Sequence, residues 1–338
     1  PRPPPTSTLE ADRRQRQMCI RDRYRMEFPD AGFRVAGVTI MKTETIDAGV
    51  IGLGAMGANM ARNLHHAGYL GRVWNRTPVR SLALAEETGV TVARSPAGLA
   101  QACDVILISV SADDDLLEVI DALVPGLRPG AVVVDTSTVS SDTAREAQSR
   151  IAGAGGGFLD APVSGGVEGA RQGTLAMMIG GEETLLERVR PVLDAVASRL
   201  EYMGPSGAGQ ATKAVNQIMA AGINQAVSES LAFAEALGLP LQKVIDVVGA
   251  GAAGNWFLKH RGSAMVDGVY EPGFRVDLHH KDLGICKTMA GNLAVTLPLV
   301  EMTLIHYRRL MDAGYGGEDI SALHREKRRL FSRQPGQT

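Results

Sequence analysis

One lysine stands in a long stretch of small and apolar residues in the second half of the chain. Residues 207–217 read GAGQATKAVNQ, and Lys213 carries the only charge between Ser206 and Ser228. Removing an ammonium group from water is costly, so burial lowers the pKa of a lysine. A lysine with a pKa near neutrality gives and takes a proton readily. Lys213 is therefore a candidate for acid–base chemistry if it faces a cleft; the alternative is a lysine that extends from the helix edge into solvent.

A glycine-rich loop near residue 50 predicts a dinucleotide site. GLGAMG follows a predicted strand and opens a predicted helix. In such a loop the first glycine permits a tight turn, the second lets a pyrophosphate approach the backbone, and the third lets helix and strand pack closely. The helix N-terminus then offers N–H groups and a partial positive charge to the phosphates. The predicted contacts are Gly52, Leu53, Gly54, Ala55, Met56 and Gly57.

The end of the second predicted strand bears on the choice between NAD and NADP. An acidic residue about 20 positions after the glycines holds the ribose hydroxyls in NAD-binding proteins. Asn75 lies there instead, followed by the guanidinium of Arg76 and the hydroxyl of Thr77. Both groups suit a 2′-phosphate. We therefore expect NADP as the cofactor, with NAD as the alternative, in which case Arg76 stacks on the adenine or extends into solvent.

Length and composition limit the kind of protein that positions these residues. A chain of 338 residues suggests two domains. Hydrophobic content of 45%, charged content of 21% and a net charge of −2 are typical of a soluble globular protein with no nucleic-acid or membrane partner. No apolar run reaches the roughly 18 residues of a membrane span. The cysteines and histidines show no metal-ligand spacing, so we expect no metal, and we expect a cytoplasmic protein.

From Ile46 the sequence alternates short apolar runs with helical segments, which is the pattern of a doubly wound α/β domain with a parallel sheet. The predicted strands are IDAGVIG, LGRVWN, CDVILISV, GAVVVDT, GGFLDAP and LAMMIGG. After about Tyr202 the pattern is helical, with predicted helices at 206–237, 240–250, 254–265, 277–292, 298–313 and 320–331. We therefore predict a dinucleotide-binding Rossmann domain over 44–205. An all-α domain for substrate binding and oligomerisation follows over 206–332, and a long helix joins the two.

The first forty residues do not share this pattern. They are rich in Pro and Arg, and they have no hydrophobic stretch of the kind found in a secretory signal. A mitochondrial transit peptide, and with it a mitochondrial location, is one interpretation, but three acidic residues argue against it. The segment QMCIRDRY also resembles a translated sequencing adapter, and we favour this second interpretation. We therefore place residues 1–43 outside the fold as a disordered or non-native extension, with Met41 as the expected start.

A further loop carries donors for a carboxylate. After Asp160-Ala161-Pro162 the chain reads Ser164-Gly165-Gly166, which exposes N–H groups and a hydroxyl. This loop, together with GLGAMGANMARNL, NRT, DTSTVS, GxGxxTK and FRVDLHHKDL, resembles the β-hydroxyacid dehydrogenase family. That family includes 3-hydroxyisobutyrate dehydrogenase, tartronate semialdehyde (2-hydroxy-3-oxopropionate) reductase and reductases of glyoxylate or succinic semialdehyde. The resemblance covers residues from about 46 to 330.

The resemblance implies an NAD(P)-dependent enzyme that transfers hydride between NADPH and a small carboxylate-bearing semialdehyde or hydroxy acid. It implies that Lys213 is catalytic. At the substrate it implies Ser164, Gly165, Gly166, Phe274, Asp282 and either Asn216 or Gln217, because Gln217 stands where many members have Asn. At the cofactor it implies Thr138, Lys281 and the pair Val110-Ser111, which stands where Leu-Pro is usual. It also implies a homodimer or homotetramer.

Other functions fit the sequence less well. A catalytically inactive nucleotide-binding scaffold of the same fold would have lost Lys213. A decarboxylating sugar-phosphate dehydrogenase would need a larger helical domain, and a related imine reductase would usually replace the lysine. The acidic run Asp113-Asp114-Asp115 begins a predicted helix, and we interpret it as stabilising the helix dipole. Among the semialdehydes, FRVDLHHKDL most resembles the segment of tartronate semialdehyde reductases.

Overall fold

The computed structural model describes residues 46–332, so the predicted extension over residues 1–43 and the expected start at Met41 lie outside the described residues. The first part of the described chain contains a nine-stranded sheet. The strands are β1 (Ala48–Ile51), β2 (Leu70–Trp74), β3 (Thr91–Val92), β4 (Val105–Ile108), β5 (Val132–Asp135), β6 (Gly157–Asp160), β7 (Val163–Ser164), β8 (Leu175–Gly181) and β9 (Ala197–Gly204).

The sheet has a parallel half and a mixed edge. Its order is β3-β2-β1-β4-β5-β6-β8-β7, with β9 also paired to β8. Strands β1 to β6 run parallel to one another, whereas β8 is antiparallel to β6 and β7 and parallel to β9. This topology confirms the prediction of a doubly wound α/β fold.

Helices cover both faces of the sheet, which is why its central strands read as unbroken apolar runs. Every residue of β1, β4 and β5 is buried. On β4, Leu107 packs into one core cluster, while Ile106 and Ile108 pack into the cluster on the opposite face. The helices of this part are α1 (Gly57–His66), α2 (Pro78–Thr88), α3 (Pro96–Ala100), α4 (Asp113–Leu123), α5 (Ser141–Gly153), α6 (Gly166–Gln172) and α7 (Glu183–Leu193).

The sequence did not predict β9, for a physical reason. This strand pairs only with β8 in the sheet of the described residues, and most of its residues are exposed. Charged residues such as Arg199 and Glu201 are tolerated there because an edge strand has no second neighbour to bury them. The apolar signal that identified the central strands is therefore absent.

The second part of the described chain is helical, as predicted. Its helices are α8 (Ala208–Ala236), α9 (Leu241–Gly249), α10 (Trp256–Val266), α11 (Val276–Asn292), α12 (Pro298–Asp312) and α13 (Leu323–Ser332), the last preceded by a single 3-10 turn. These helices share one core with α8, and the two parts belong to one structural unit. Among the described residues, no helix has the length and hydropathy of a membrane span.

The start of α8 is fixed by a carboxylate at the end of β6. Asp160 is fully buried; its Oδ1 accepts the N–H of Gly207 at 2.8 Å and its Oδ2 that of Gln210 at 3.0 Å. These are N–H groups that a helix N-terminus leaves without intrahelical acceptors. Burial raises the pKa of Asp160, and the N–H donors oppose this shift. The side chain of Gln210 then bonds both Ser137 O (2.9 Å) and Val139 N (3.2 Å), so α8 is tied to two strand ends.

We predict that Asp160→Asn destabilises the protein by about 1–3 kcal/mol, the cost of leaving a buried N–H without its acceptor. The Asn side chain keeps one acceptor oxygen and presents an NH₂ group to the second N–H. Urea unfolding followed by circular dichroism measures the change. Asp267→Asn is the matched control, because Asp267 is exposed and its side chain makes no hydrogen bond or ion pair with other described residues. Equal stability of the two variants would contradict the prediction.

Candidate active site

Lys213 lies in the second turn of α8, at the junction of the two parts of the fold. Its side chain is only 8% exposed, which rules out a lysine that extends into solvent. Its Nζ donates to the carbonyl oxygen of Val163 at 2.9 Å. Burial lowers the pKa of Lys213; the carboxylate of Asp282 opposes this shift, and the nearby Lys281 adds to it. The structure therefore contains a lysine that releases its proton more easily than a lysine in water.

The loop that follows Val163 stands beside this lysine. Gly165 and Gly166 have φ values of +127° and +62°, which residues with a Cβ rarely adopt. A Cβ built on Gly166 would lie 3.7 Å from Gly273 O, so the loop faces the segment that contains Phe274. The loop and Phe274, which the sequence analysis assigned to the substrate, are thus brought together.

Three polar side chains join α8 to α11 next to Lys213. Lys281 donates to Thr138 O at 2.6 Å and pairs with Asp282 Oδ1 at 2.9 Å. Asp282 Oδ2 accepts from Gln217 Nε2 at 2.6 Å. Lys281 therefore links α11 to the loop after β5, and Asp282 holds it in place.

The two amides that the sequence could not distinguish have different surroundings. Gln217 is 2% exposed, and its amide bonds both Asp282 and the Nδ2 of Asn216, the latter at 2.8 Å. Asn216 is only partly buried, and its Oδ1 has no hydrogen bond within residues 46–332. Asn216 is consequently the amide whose acceptor is available to a ligand, while Gln217 braces Asp282.

His279 is a residue of this region that the sequence analysis did not identify. It is fully buried, and burial lowers its pKa to about 4, so the ring is neutral at ordinary pH. Its Nδ1 lies 3.0 Å from Tyr307 Oη and its Nε2 lies 3.2 Å from Gln217 O. The adjacent residues His279 and His280 gave no signal in the sequence that the ring of His279 would be buried against α8.

The glycine loop has the geometry that the fingerprint predicts. Gly52 has a φ of +90°, and a Cβ on it would meet Ser109 O at 2.1 Å. A Cβ on Gly57 would meet Gly52 O at 1.9 Å, whereas a Cβ on Gly54 would meet nothing within 4 Å. The first and third glycines are therefore required by close packing, and the second leaves open the approach that a pyrophosphate needs. These residues fit a dinucleotide.

The cleft beside Gly54 collects most of the predicted cofactor contacts. Among those predicted, its lining includes Gly52, Gly54, Asn75, Arg76, Thr77, Val110 and Ser111, and Leu53 and Ala55 line the adjoining depression. The side chain of Asn75 accepts from Leu53 N at 2.7 Å and donates to Thr77 O at 2.9 Å. Asn75 thus holds the glycine loop against the end of β2.

The acidic run at the start of α4 does more than interact with the helix dipole, so that interpretation is incomplete. Asp113 Oδ1 accepts from Ser140 N at 2.9 Å and from Thr143 Oγ1 at 2.7 Å. Asp115 forms an ion pair with Arg76 at 2.8 Å. Of these three aspartates, only Asp114 is exposed, and its side chain has no such partner among the described residues.

A second carboxyl at a strand end lies beside Asp160. Asp135 closes β5, pairs in register with Asp160 and is fully buried. Burial raises its pKa to about 7, although Ser137 N donates to its Oδ1 at 3.0 Å. The sequence analysis identified neither as a site residue; the available signal is that each is the acidic last residue of an apolar strand. Residues 46–332 contain no group of three or more His, Cys, Asp or Glu that could hold a metal ion.

Comparison with known families gives two matches that together span most of the described chain. The model of the NAD binding domain of 6-phosphogluconate dehydrogenase matches residues 47–204. The model described as NAD-binding of NADP-dependent 3-hydroxyisobutyrate dehydrogenase matches residues 207–326.

Individual relatives agree with these matches. The chain is 33% identical to the NAD-dependent L-serine dehydrogenase of Pseudomonas aeruginosa, over 85% of this chain and 98% of that protein. It is 36% identical to the 2-hydroxy-3-oxopropionate reductase of Escherichia coli, over 74% of this chain and 86% of the relative. The solved structure of 3-hydroxyisobutyrate dehydrogenase from Mycobacterium tuberculosis with L-serine has a TM-score of 0.78 and 33% identity, covering 84% and 99% of the two chains.

Proposed function

The chain belongs to the β-hydroxyacid dehydrogenase family, and on that premise we propose that it transfers hydride between NADPH and a small β-hydroxy acid or its semialdehyde. It is an NAD(P)-binding oxidoreductase, as its relatives are. The main observation in support of this reaction is that Lys213 is buried and bonds to Val163 O, directly before the Ser164-Gly165-Gly166 loop. An inactive scaffold would have no use for a lysine that is costly to bury.

The proposed substrate class follows from the loop and from the relatives. Serine, 3-hydroxyisobutyrate and the product of 2-hydroxy-3-oxopropionate reduction share the skeleton HOCH₂–CHX–COO⁻, in which X is a small group. We assign the carboxylate to Ser164, Gly165 and Gly166, whose hydroxyl and N–H groups suit an anion. Asn216 Oδ1 is free among the described residues and suits a polar X. We favour 2-hydroxy-3-oxopropionate, which is tartronate semialdehyde, because the segment FRVDLHHKDL most resembles that of tartronate semialdehyde reductases.

Lys213 would manage the proton at the reacting oxygen. NADPH supplies the hydride when it is bound. In reduction the Lys213 ammonium donates a proton to the developing alkoxide, and in oxidation the neutral amine takes it back. Val163 O orients Nζ, and burial lowers the pKa of Lys213, which favours release of its proton. Phe274 and Asp282 would close the substrate side of the site.

The cofactor would lie along the cleft of the sheet. We assign the pyrophosphate to the loop from Gly52 to Gly57, which the Asn75 side chain braces. Arg76 and Thr77 would take the 2′-phosphate, which is the basis for proposing NADP ahead of NAD. Val110-Ser111 and Thr138 would contact the cofactor nearer the reacting centre. Lys281 would also lie there, because its Nζ bonds Thr138 O.

We propose that the protein is a homodimer or homotetramer built around α8. This helix exposes Val215 (61%) and Met219 (63%), and Phe233 (52%) lies further along the same helix. Sedimentation of the wild-type protein at micromolar concentration should give an oligomer. The variant Met219→Glu should raise the dissociation constant of that oligomer at least about tenfold, since a charge in an apolar interface costs more than about 1.4 kcal/mol. Val247→Glu, at another exposed apolar position, is the control. A wild-type monomer would contradict the proposal.

We predict that Lys213→Ala lowers kcat by roughly 10²–10⁴, the usual contribution of one acid–base group. Lys213→Arg should not restore activity, because a guanidinium keeps its proton at working pH. The affinity for NADPH should be retained, since the glycine loop and Arg76 are unchanged. The measurements are initial rates with NADPH and tartronate, succinic and methylmalonate semialdehydes and glyoxylate, and NADPH binding by fluorescence.

Lys243→Ala is the matched control, because Lys243 is an exposed lysine on α9 whose side chain makes no hydrogen bond or ion pair with another described residue. Near-normal turnover of Lys213→Ala would refute the assignment of the proton donor. Loss of both turnover and NADPH binding would show that Lys213 supports the fold, and Lys281 would then be the next residue to test. No turnover of wild-type protein with any of the four aldehydes would refute the substrate class.

A further inference from the structure

The guanidinium that the sequence assigns to a 2′-phosphate already has anionic neighbours. Arg76 Nη1 lies 2.8 Å from Asp115 Oδ1 and 3.6 Å from Glu118 Oε2. Both carboxylates are on α4, and both line the cleft with Gly54 and Thr77. The Arg76 side chain is 70% exposed and the Asp115 side chain only 25%, so the aspartate is the more firmly held partner.

Three adjacent carboxylates at the start of α4 have three different surroundings. Asp113 is committed to Ser140 and Thr143. Asp114 is exposed, and its side chain forms no ion pair or hydrogen bond with another described residue. Asp115 alone turns toward the cofactor cleft and contacts Arg76. Stabilisation of the helix dipole would be served equally by any of them, so it does not explain the position of Asp115.

A carboxylate and a phosphate compete for the same face of a guanidinium. An arginine binds either anion through its N–H donors, and the strongest arrangement uses two donors on one anion. A 2′-phosphate that binds at Arg76 must therefore displace Asp115 or share the guanidinium with it, close to a second negative charge. NAD, which carries hydroxyls at the ribose, meets neither obstacle and leaves the ion pair intact.

We propose that Asp115 restrains Arg76 and thereby limits the preference of this protein for NADP over NAD. Asp115 is then a specificity-determining residue that acts through Arg76, and Glu118 adds a weaker contribution from 3.6 Å. The proposal rests on the assignment of Arg76 to the 2′-phosphate made under the proposed function.

The test measures the dissociation constants of NADPH and NADH by fluorescence, without substrate, for the wild type and for Asp115→Asn. The ratio of NADH to NADPH dissociation constants should rise about three- to tenfold in the variant, because an ion pair at a partly exposed site has an effect of that size and a like charge is removed. Asp114→Asn is the matched control: it removes the same charge from the same helix turn without contacting Arg76, and its ratio should stay within about twofold of wild type.

The same substitution in an Arg76→Gln background separates restraint from simple repulsion. If Asp115 acts through Arg76, the rise in the ratio should shrink to less than half its size there. An equal rise in both backgrounds, a rise in Asp114→Asn as large as in Asp115→Asn, or no rise at all would overturn the proposal. Because no substrate is present, the outcome is independent of Lys213. If wild-type protein binds NADH more tightly, the NADP assignment fails, while the change in the ratio still decides the role of Asp115.

Discussion

The buried carboxylate of Asp160 is the constraint on which the rest of the site depends. It ends a strand of the sheet and accepts the first N–H groups of α8 at 2.8 and 3.0 Å. A carboxylate at a helix N-terminus is stabilised both by those N–H groups and by the helix dipole. Because Lys213 lies in the second turn of the same helix, fixing the first turn fixes the lysine relative to the loop after β6. Gln210 adds bonds to the loop after β5.

The charges around Lys213 are arranged so that loss of its proton leaves no neighbouring carboxylate without a partner. Asp282 is shared between Lys281 at 2.9 Å and Gln217 at 2.6 Å, so its charge is largely committed elsewhere. The only acceptor bonded to Lys213 Nζ among the described residues is a neutral carbonyl, that of Val163. His279 is neutral, because burial lowers its pKa to about 4. Burial therefore dominates the lowered pKa of Lys213, as expected for an ammonium with no carboxylate directly bonded to it.

The sequence was informative wherever one residue type is physically required. Gly52 and Gly57 have no room for a Cβ, Gly54 faces open space, and a lone lysine in an apolar helix signals a special environment. The apolar runs of β1, β4 and β5 predicted a doubly covered sheet because both faces of these strands are buried. The domain limits at residues 44, 205 and 332 and the role of each site residue remain predictions.

What the sequence could not show depends on contacts between distant residues. The Arg76–Asp115 pair joins positions 39 apart, and the His279–Gln217 bond joins positions 62 apart. No local spacing encodes either contact. The edge strand β9 lacked an apolar pattern because most of its residues are exposed. The choice between Asn216 and Gln217 likewise depended on Asp282, which lies on a different helix.

The most direct test of Lys213 as the proton donor and acceptor is the pH dependence of kcat/KM in both directions. Reduction needs the protonated lysine, so its rate should fall as pH rises through the pKa of Lys213 in the enzyme. Oxidation needs the neutral amine, so its rate should rise with pH through the pKa of Lys213 in the complex with the oxidised cofactor. We predict two opposite profiles, each with an inflection below the ordinary lysine value of about 10.4. Profiles that move in the same direction, or an inflection at the ordinary lysine value, would contradict the account.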